Sequence, residues 1–274
     1  MKKLIITIIL TAAAVFCADA EIRTKTYDFG DITRLSAGNT FQVHVTEGNS
    51  GTVKVVYDSE LENYMKISYS TANEKLSLGM IQNLPRTIRN LKYPPIHVYL
   101  EMDRISSIDI SGAAEVTFDG KFRADDLDID ISGASHMSGL DASGQNLELD
   151  CSGASEASFS VNFSKEVNMD MSGAVKVYCS GEFGTCEVSC SGASCIDMKG
   201  KAYKAEYECS GASAIDARDF IVKRAAVHLS GASKAEVNVE DELQYNVSVA
   251  SKMTYYGNAK LVNVSDNSNI VKGF

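Results

Sequence analysis

Apolar and polar residues alternate along much of this chain in short, evenly spaced runs. Leu127, Ile129 and Ile131 alternate with Asp128 and Asp130, and Leu147, Leu149 and Cys151 with Glu148 and Asp150. Val167, Met169 and Met171 follow, then Cys186, Val188 and Cys190, then Ala205, Tyr207 and Cys209, then Ala225, Val227 and Leu229. Successive side chains of a strand point to opposite faces, so a period of two predicts strands with one face buried. Helical periodicity is absent from these units, and so is the LxxLxLxxN consensus of leucine-rich repeats.

Each run ends in the same phrase. SGA followed by Ser, Ala or Val begins at Ser111, Ser132, Ser152, Ser172, Ser191, Ser210 and Ser230, with a degenerate copy at Ser248-Val-Ala-Ser251. The spacings of 21, 20, 20, 19, 19, 20 and 18 residues are those of a solenoid whose units touch only their neighbours. A second strand is expected after each phrase. Val116, Met137, Ala157, Val177, Ile196, Ile215, Ala235 and Met253 form its first inward column. Phe118, Gly139, Phe159, Cys179, Met198, Ala217, Val237 and Tyr255 form the next, while Phe122, Phe163, Phe183, Tyr203 and Phe220 mark a third side. One strand per side predicts an all-β fold, a single-stranded parallel β-helix. Its coils of about 20 residues would stack ~4.8 Å apart, with the right-handed winding that parallel crossovers prefer.

The phrase is then the bend itself. Gly112, Gly133, Gly153, Gly173, Gly192, Gly211 and Gly231 permit a corner conformation closed to other residues. The alanine is expected to tuck its methyl into a crowded corner, and the serine hydroxyls to bond along the ladder or to turn amides.

Residues 21–104 lack the phrase but carry alternating runs, among them Phe41–Val45, Val53–Tyr57, Leu76–Leu78 and Ile96–Leu100, with a turn at Glu47–Gly51 and a proline-bearing loop at Gln82–Pro95. They are expected to form a β-rich N-terminal part that caps the β-helix of 105–258, because an open end exposes core and strand edges. Residues 259–274 are expected to form a closing turn and tail. Lys2-Lys3, an apolar stretch from Leu4 to Phe16, and Ala18-Asp19-Ala20 form a signal peptide over 1–20, too short to span a bilayer comfortably. The chain is therefore expected to be exported, to the periplasm, the outer-membrane surface or the exterior. Cys17 leaves processing as a lipoprotein open, against which stands the bulky Phe16 before it.

Composition narrows the partners. The net charge of −10 becomes −11 when Lys2, Lys3 and Asp19 leave with the signal peptide. An acidic surface repels phosphate, which argues against nucleic acid. Six cysteines remain, Cys151, Cys179, Cys186, Cys190, Cys195 and Cys209, and they follow the repeat. They read as mostly free, buried thiols. Cys190 and Cys209, one coil apart, are the pair best placed to bridge. There is no CxxC pair, and the four histidines are scattered in sequence, against a zinc site.

The serial SGA phrases, the Glu47-Gly48 turn with its V-x-V runs and the signal peptide resemble the bacterial family described as "putative auto-transporter adhesin, head GIN domain", over about residues 30 to 258. The resemblance implies a β-helical fold and export. It brings no catalytic residues, so it implies an adhesin or binding module by architecture alone.

Two outward columns could carry chemistry. Asp109, Asp130, Asp150 and Asp170 stack as carboxylates that repel unless relieved, and calcium is the cation such hard oxygen ligands would take. The alternative is that they keep a flat face from aggregating, with no cofactor at all. Glu115, His136, Glu156 and Lys176 form a second column, a candidate surface for a glycan or a surface protein. A polysaccharide lyase or hydrolase, or a purely structural envelope protein, are the rival readings. The lack of Trp and of long insertions disfavours the enzyme. GxSxG, phosphate-loop and dinucleotide motifs are all absent.

Overall fold

The computed structural model describes residues 21–85, 88, 94–263 and 269–273. The signal peptide read over 1–20 lies outside them, as do parts of the Gln82–Pro95 loop and of the C-terminal tail. Strands make up 71% of the structure and helix 2%, and stacked parallel coils form a β-solenoid of about eight turns. This is the architecture that alternation and phrase spacing predict.

The N-terminal strands are woven into the stack. After β1 (Ile22–Asp28), β2 (Arg34–Ala37) and β3 (Phe41–Glu47) turn a corner at Gly38 and Asn39. β4 (Thr52–Asp58) pairs antiparallel with β1, and β5 (Met65–Ser70) antiparallel with β6 (Lys75–Met80). β6 lies parallel to β2, and β7 (Ile96–Met102) parallel to β3. β8 (Ser107–Ile110) and β9 (Glu115–Asp119) take the opposite edges of β2 and β3. The β2–β3 coil thus sits between β6–β7 and β8–β9, out of chain order. β4 and β5 pair antiparallel with β7 and β6, covering edges that an open end would leave unpaired. Asn39 makes the corner of this early coil at φ 61°, in a left-handed region that asparagine tolerates. Its carbonyl accepts the Ala113 N–H at 2.7 Å.

Past β9 the coils follow the chain. β10 (Lys121–Arg123) and β11 (Asp126–Ile131) pair with β12 (His136–Gly153). β13 (Glu156–Gly173), β14 (Lys176–Cys190), β15 (Cys195–Cys209), β16 (Ala214–Leu229) and β17 (Lys234–Val247) stack in turn, each parallel to the last. β18 (Lys252–Tyr256), β19 (Lys260–Asn263) and β20 (Ile270–Lys272) complete the far end. On side one, the run before each phrase, Ile129, Leu149, Met169, Val188, Tyr207 and Val227 stand buried and in register. Each packs against the coil above and below, so the core is a sum of identical nearest-neighbour contacts.

The corner differs from the expected one in a single respect. The third-letter alanines, such as Ala134 and Ala212, are exposed, and the fourth-letter serines are the buried members. Ser135, Ser155, Ser194, Ser213 and Ser233 each donate a hydroxyl back to the carbonyl of the first serine of their own phrase, at 2.7–3.0 Å. Alanine contributes its backbone: the Ala134 N–H reaches the Gly112 carbonyl of the previous coil at 2.7 Å, and Ala154, Ala174 and Ala193 repeat the bond. Gly133 stands at φ 79°, and a Cβ there would lie 2.5 Å from the Gly112 carbonyl oxygen. Conformation and space both require glycine. In the degenerate last copy Val249 takes the glycine position, 84% exposed and outside the left-handed region.

Sides two and three also depart from strict alternation. β12 bulges at Ser138 and Gly139, so Leu140 rather than Gly139 faces inward opposite Phe159. Ala202, not Tyr203, continues the column of Phe163 and Phe183. Phe122 lies opposite Ala142, in a different column from Phe163. Phe220 pairs with Gly200 and is fully buried.

The six cysteines are free, with Cys195 partly exposed and the others buried. Cys190 and Cys209 stand opposite each other in adjacent coils as free thiols, without the bridge their spacing allows. Burial pushes Cys151 up to about 12.

Candidate functional site

Outward positions of the coils line up as strictly as inward ones, so each outward residue type becomes a stripe along the solenoid. On side one Asp109, Asp130, Asp150 and Asp170 stand on successive coils, and the line continues through Ser189, Glu208 and His228. Asp109 is relieved by the Ser36 hydroxyl at 2.9 Å and by Lys75 Nζ at 3.7 Å. Partial burial, then the charges of Asp109 and Asp150, push Asp130 above the usual carboxylate range; partial burial, then Asp170, do the same to Asp150. A groove of about 650 Å³ runs beside this stripe from Asp150 to Asn246, edged by the first-letter serines. Among the described residues, no group of three or more His, Cys, Asp or Glu side chains is placed to hold a metal ion.

On side two the structure brings Glu115, His136, Glu156 and Lys176 onto four successive coils in one line. The line runs on through Cys195, Ala214 and Lys234 to Lys252. Gln42 extends it the other way, its Nε2 donating to Glu115 Oε2 at 3.1 Å. These side chains are neighbours along one face, with a rise of ~4.8 Å per coil. They are not opposed across a cleft, as a carboxylate pair acting on a glycosidic bond would be.

Two further features are not readable from local sequence. Pairing of β3 with β7 brings His44 and His97 together, Nε2 to Nδ1 at 3.4 Å, and lays the His44 ring 4.8 Å from that of Tyr99. Burial, then His97, lowers the His44 pKa, against an opposing pull from Glu115. Beside the side-two line a groove of about 400 Å³ is lined in part by Ser158, Ser160, Tyr178, Asp197 and Lys199. Tyr178 is 48% exposed within it. An exposed aromatic at an outward strand position and an isolated glycine, Gly139, inside a strand run were the available signals.

Among solved structures, a putative adhesin from Parabacteroides distasonis is 16% identical, with 93% of this chain and 97% of that one covered and a TM-score of 0.69. A putative lipid binding protein from the same organism is 14% identical, with 92% and 97% covered and a TM-score of 0.67. A putative adhesin from Parabacteroides merdae is 16% identical, with 93% and 97% covered and a TM-score of 0.62. At these identities the likeness is one of fold. No curated protein matches the chain. The family model described as "Putative auto-transporter adhesin, head GIN domain" matches residues 31–163 and 156–259, nearly the whole described chain, and the protein belongs to that family.

Proposed function

We propose that this protein is an exported, non-enzymatic binding module of the bacterial cell envelope, an adhesin that engages its partner across the outward face of side two. One observation carries the reading: the line from Glu115 through His136, Glu156 and Lys176 to Lys252 keeps its register from coil to coil without a break. It presents carboxylates at one end and ammonium groups at the other, an extended surface suited to a polymer or to another protein. Family membership and the signal peptide support placement in the periplasm, on the outer-membrane surface or outside the cell, and no helix among the described residues is long and apolar enough to cross a membrane. The acidic stripe on side one is assigned to solubility, keeping the flat faces of two copies apart, rather than to calcium. One fold relative is described as lipid-binding. In this chain the coil interior is filled by its own side chains, with Phe163, Phe220 and Val188 fully buried, so a lipid would have to lie outside.

A glycan and protein array run beside a polysaccharide-degradation assay tests the reading. Specific capture without released sugar is the expected result. Release of sugar products would overturn it in favour of a lyase or hydrolase, and silence in both assays in favour of a structural role.

A further inference from the structure

Strand register on side two breaks at β12 and again at β16, and a trough lies between them. β12 carries an extra residue at Ser138 and Gly139, with Gly139 at φ 78°. Further along, β16 carries an extra residue at Ala217 and Arg218, opposite the single Met198 of β15. Between the bulged coils, β13, β14 and β15 run in unbroken register from Glu156, Lys176 and Cys195 to Phe163, Phe183 and Ala202. Bulges re-aim side chains and bend the strand that bears them. The coil beyond Asp197 is held by a charged network, in which Arg218 bonds Asp216 at 2.7 Å and Glu236 at 3.1 Å, and Tyr256 bonds Glu236 at 3.0 Å.

Tyr178 sits on the middle coil of this trough, between Ser158 on one neighbouring coil and Asp197 on the other. The groove runs past it from Asp141 to Lys199. Four coils, three steps of ~4.8 Å, make its length roughly 14 Å. Among the described residues, the side chains of Ser158, Ser160, Tyr178 and Asp197 make no hydrogen bond or ion pair with another protein group, and Lys199 has only the charge of Asp216 beside it, so donors and acceptors face the groove. An aromatic face offers its negative π-surface to C–H groups, and the surrounding hydroxyl, carboxylate and ammonium groups suit a ligand that is itself dense in hydroxyls.

We infer that this trough is a carbohydrate subsite, in which Tyr178 stacks on a pyranose ring of an uncharged oligosaccharide while Ser158, Asp197 and Lys199 hydrogen-bond the hydroxyls of that ring and its neighbours. The inference rests on the binding-module reading and names its ligand class and its centre. A phosphate-bearing ligand is disfavoured by Asp141 and Asp197 and by the acidity of the whole chain.

Saturation-transfer difference NMR on the intact protein, with cellotriose, maltotriose and triacetylchitotriose as probes, tests this. At least one probe is expected to receive saturation. Tyr178→Ala should weaken its binding about tenfold or more, the scale of one lost ring contact with its supporting hydrogen bonds. Tyr178→Phe should retain it, and Lys66→Ala, an exposed residue of β5 away from side two, should leave it unchanged. Tyr178 is half exposed, so these variants remain folded, which the amide spectrum verifies. Absence of transfer to all three probes, or a Tyr178→Ala affinity from the titrated transfer within about twofold of the parent, overturns the subsite. Neither result removes the broader binding role, which falls only if the glycan and protein array is silent as well.

Discussion

Ser213 donates its hydroxyl to the carbonyl of Ser210 at 2.8 Å, from a side chain that is 1% exposed. It also reaches the Cys190 carbonyl of the preceding coil at 3.2 Å. Where the fourth letter is serine it ties the bend to itself, and at Ser194 and Ser213 it reaches the preceding coil as well. Ser213→Ala removes both bonds and should cost about 1 kcal/mol, a fall in melting temperature of roughly 2–4 °C for a chain of this size. Gly192→Ala should cost more, about 2 kcal/mol or above, because φ is +73° there and the new Cβ would lie 2.6 Å from the Gly173 carbonyl oxygen. Thermal melts followed by circular dichroism check the ranking. A Gly192→Ala variant as stable as the parent would remove glycine's role at the corner.

Tyr207 carries a hydroxyl into the core of side one. Its ring is fully buried and its hydroxyl has no hydrogen-bond partner, and burial drives its pKa upward. An unmade buried hydrogen bond is a cost that phenylalanine avoids. Tyr207→Phe should melt at the parental temperature or above it, by as much as about 1 kcal/mol in stability. A clear loss of stability would show that the hydroxyl has a partner.

The acidic stripe should make its own mark on pH dependence. Asp130 and Asp150 have folded pKa values raised by partial burial and neighbouring carboxylates. The folded state therefore holds protons more tightly than the unfolded chain, and this stripe's contribution to stability falls as pH rises through the carboxylate range. Asp150→Asn should melt above the parent at neutral pH by roughly 1–2 °C, and the gap should close on acidification below that range. Calcium should leave the melting temperature of both proteins unchanged. A calcium-dependent rise in the parent that is lost in Asp150→Asn would reassign the stripe as a cation site.

Thiol reactivity follows burial. Cys195 is the partly exposed cysteine of the described chain, while Cys151, Cys179, Cys186, Cys190 and Cys209 are buried, and burial raises the pKa of Cys179 and Cys186. Because the thiolate is the reactive form, a native-state titration with a disulfide reagent should label Cys195 quickly and the other five only on unfolding. Rapid modification of several thiols in the folded protein would contradict the packing.

Much of this fold is legible in the sequence, for a physical reason. Side one alternates cleanly, as Leu127, Ile129 and Ile131 do, and the corner glycines recur at nearly constant spacing, so inward columns and bends can be counted from the chain alone. What stays hidden depends on long-range pairing or on bulges. The β2–β3 coil lacks the phrase and uses Asn39 at its corner; asparagine's tolerance of the left-handed region was the only clue. Insertion of that coil between β6–β7 and β8–β9 has no local signature. Gly139 defeats alternation because an extra residue in a bulged coil reverses which side chain points inward; β14 and β15 pair without a shift, and Ala202 takes the inward place that its bulk suggested for Tyr203. The candidate surface divides the same way. The register of Glu115, His136, Glu156 and Lys176 follows from the repeat, whereas the trough around Tyr178 takes part of its lining from the bulged Gly139 and Leu140 of β12.

Distances measured along the side-two line test the central claim, a continuous stack of coils wound at the repeated phrase, most directly. Spin labels carried on a noncanonical amino acid, which spares the native thiols, are placed at Glu115 and, in separate samples, at Lys176, Lys234 and Lys252. These positions lie three, six and seven coils from Glu115 in one unbroken register. Pulsed electron–electron double resonance should give separations of roughly 14, 29 and 34 Å, rising in proportion to the number of coils. Separations that do not increase with coil number would contradict the stack.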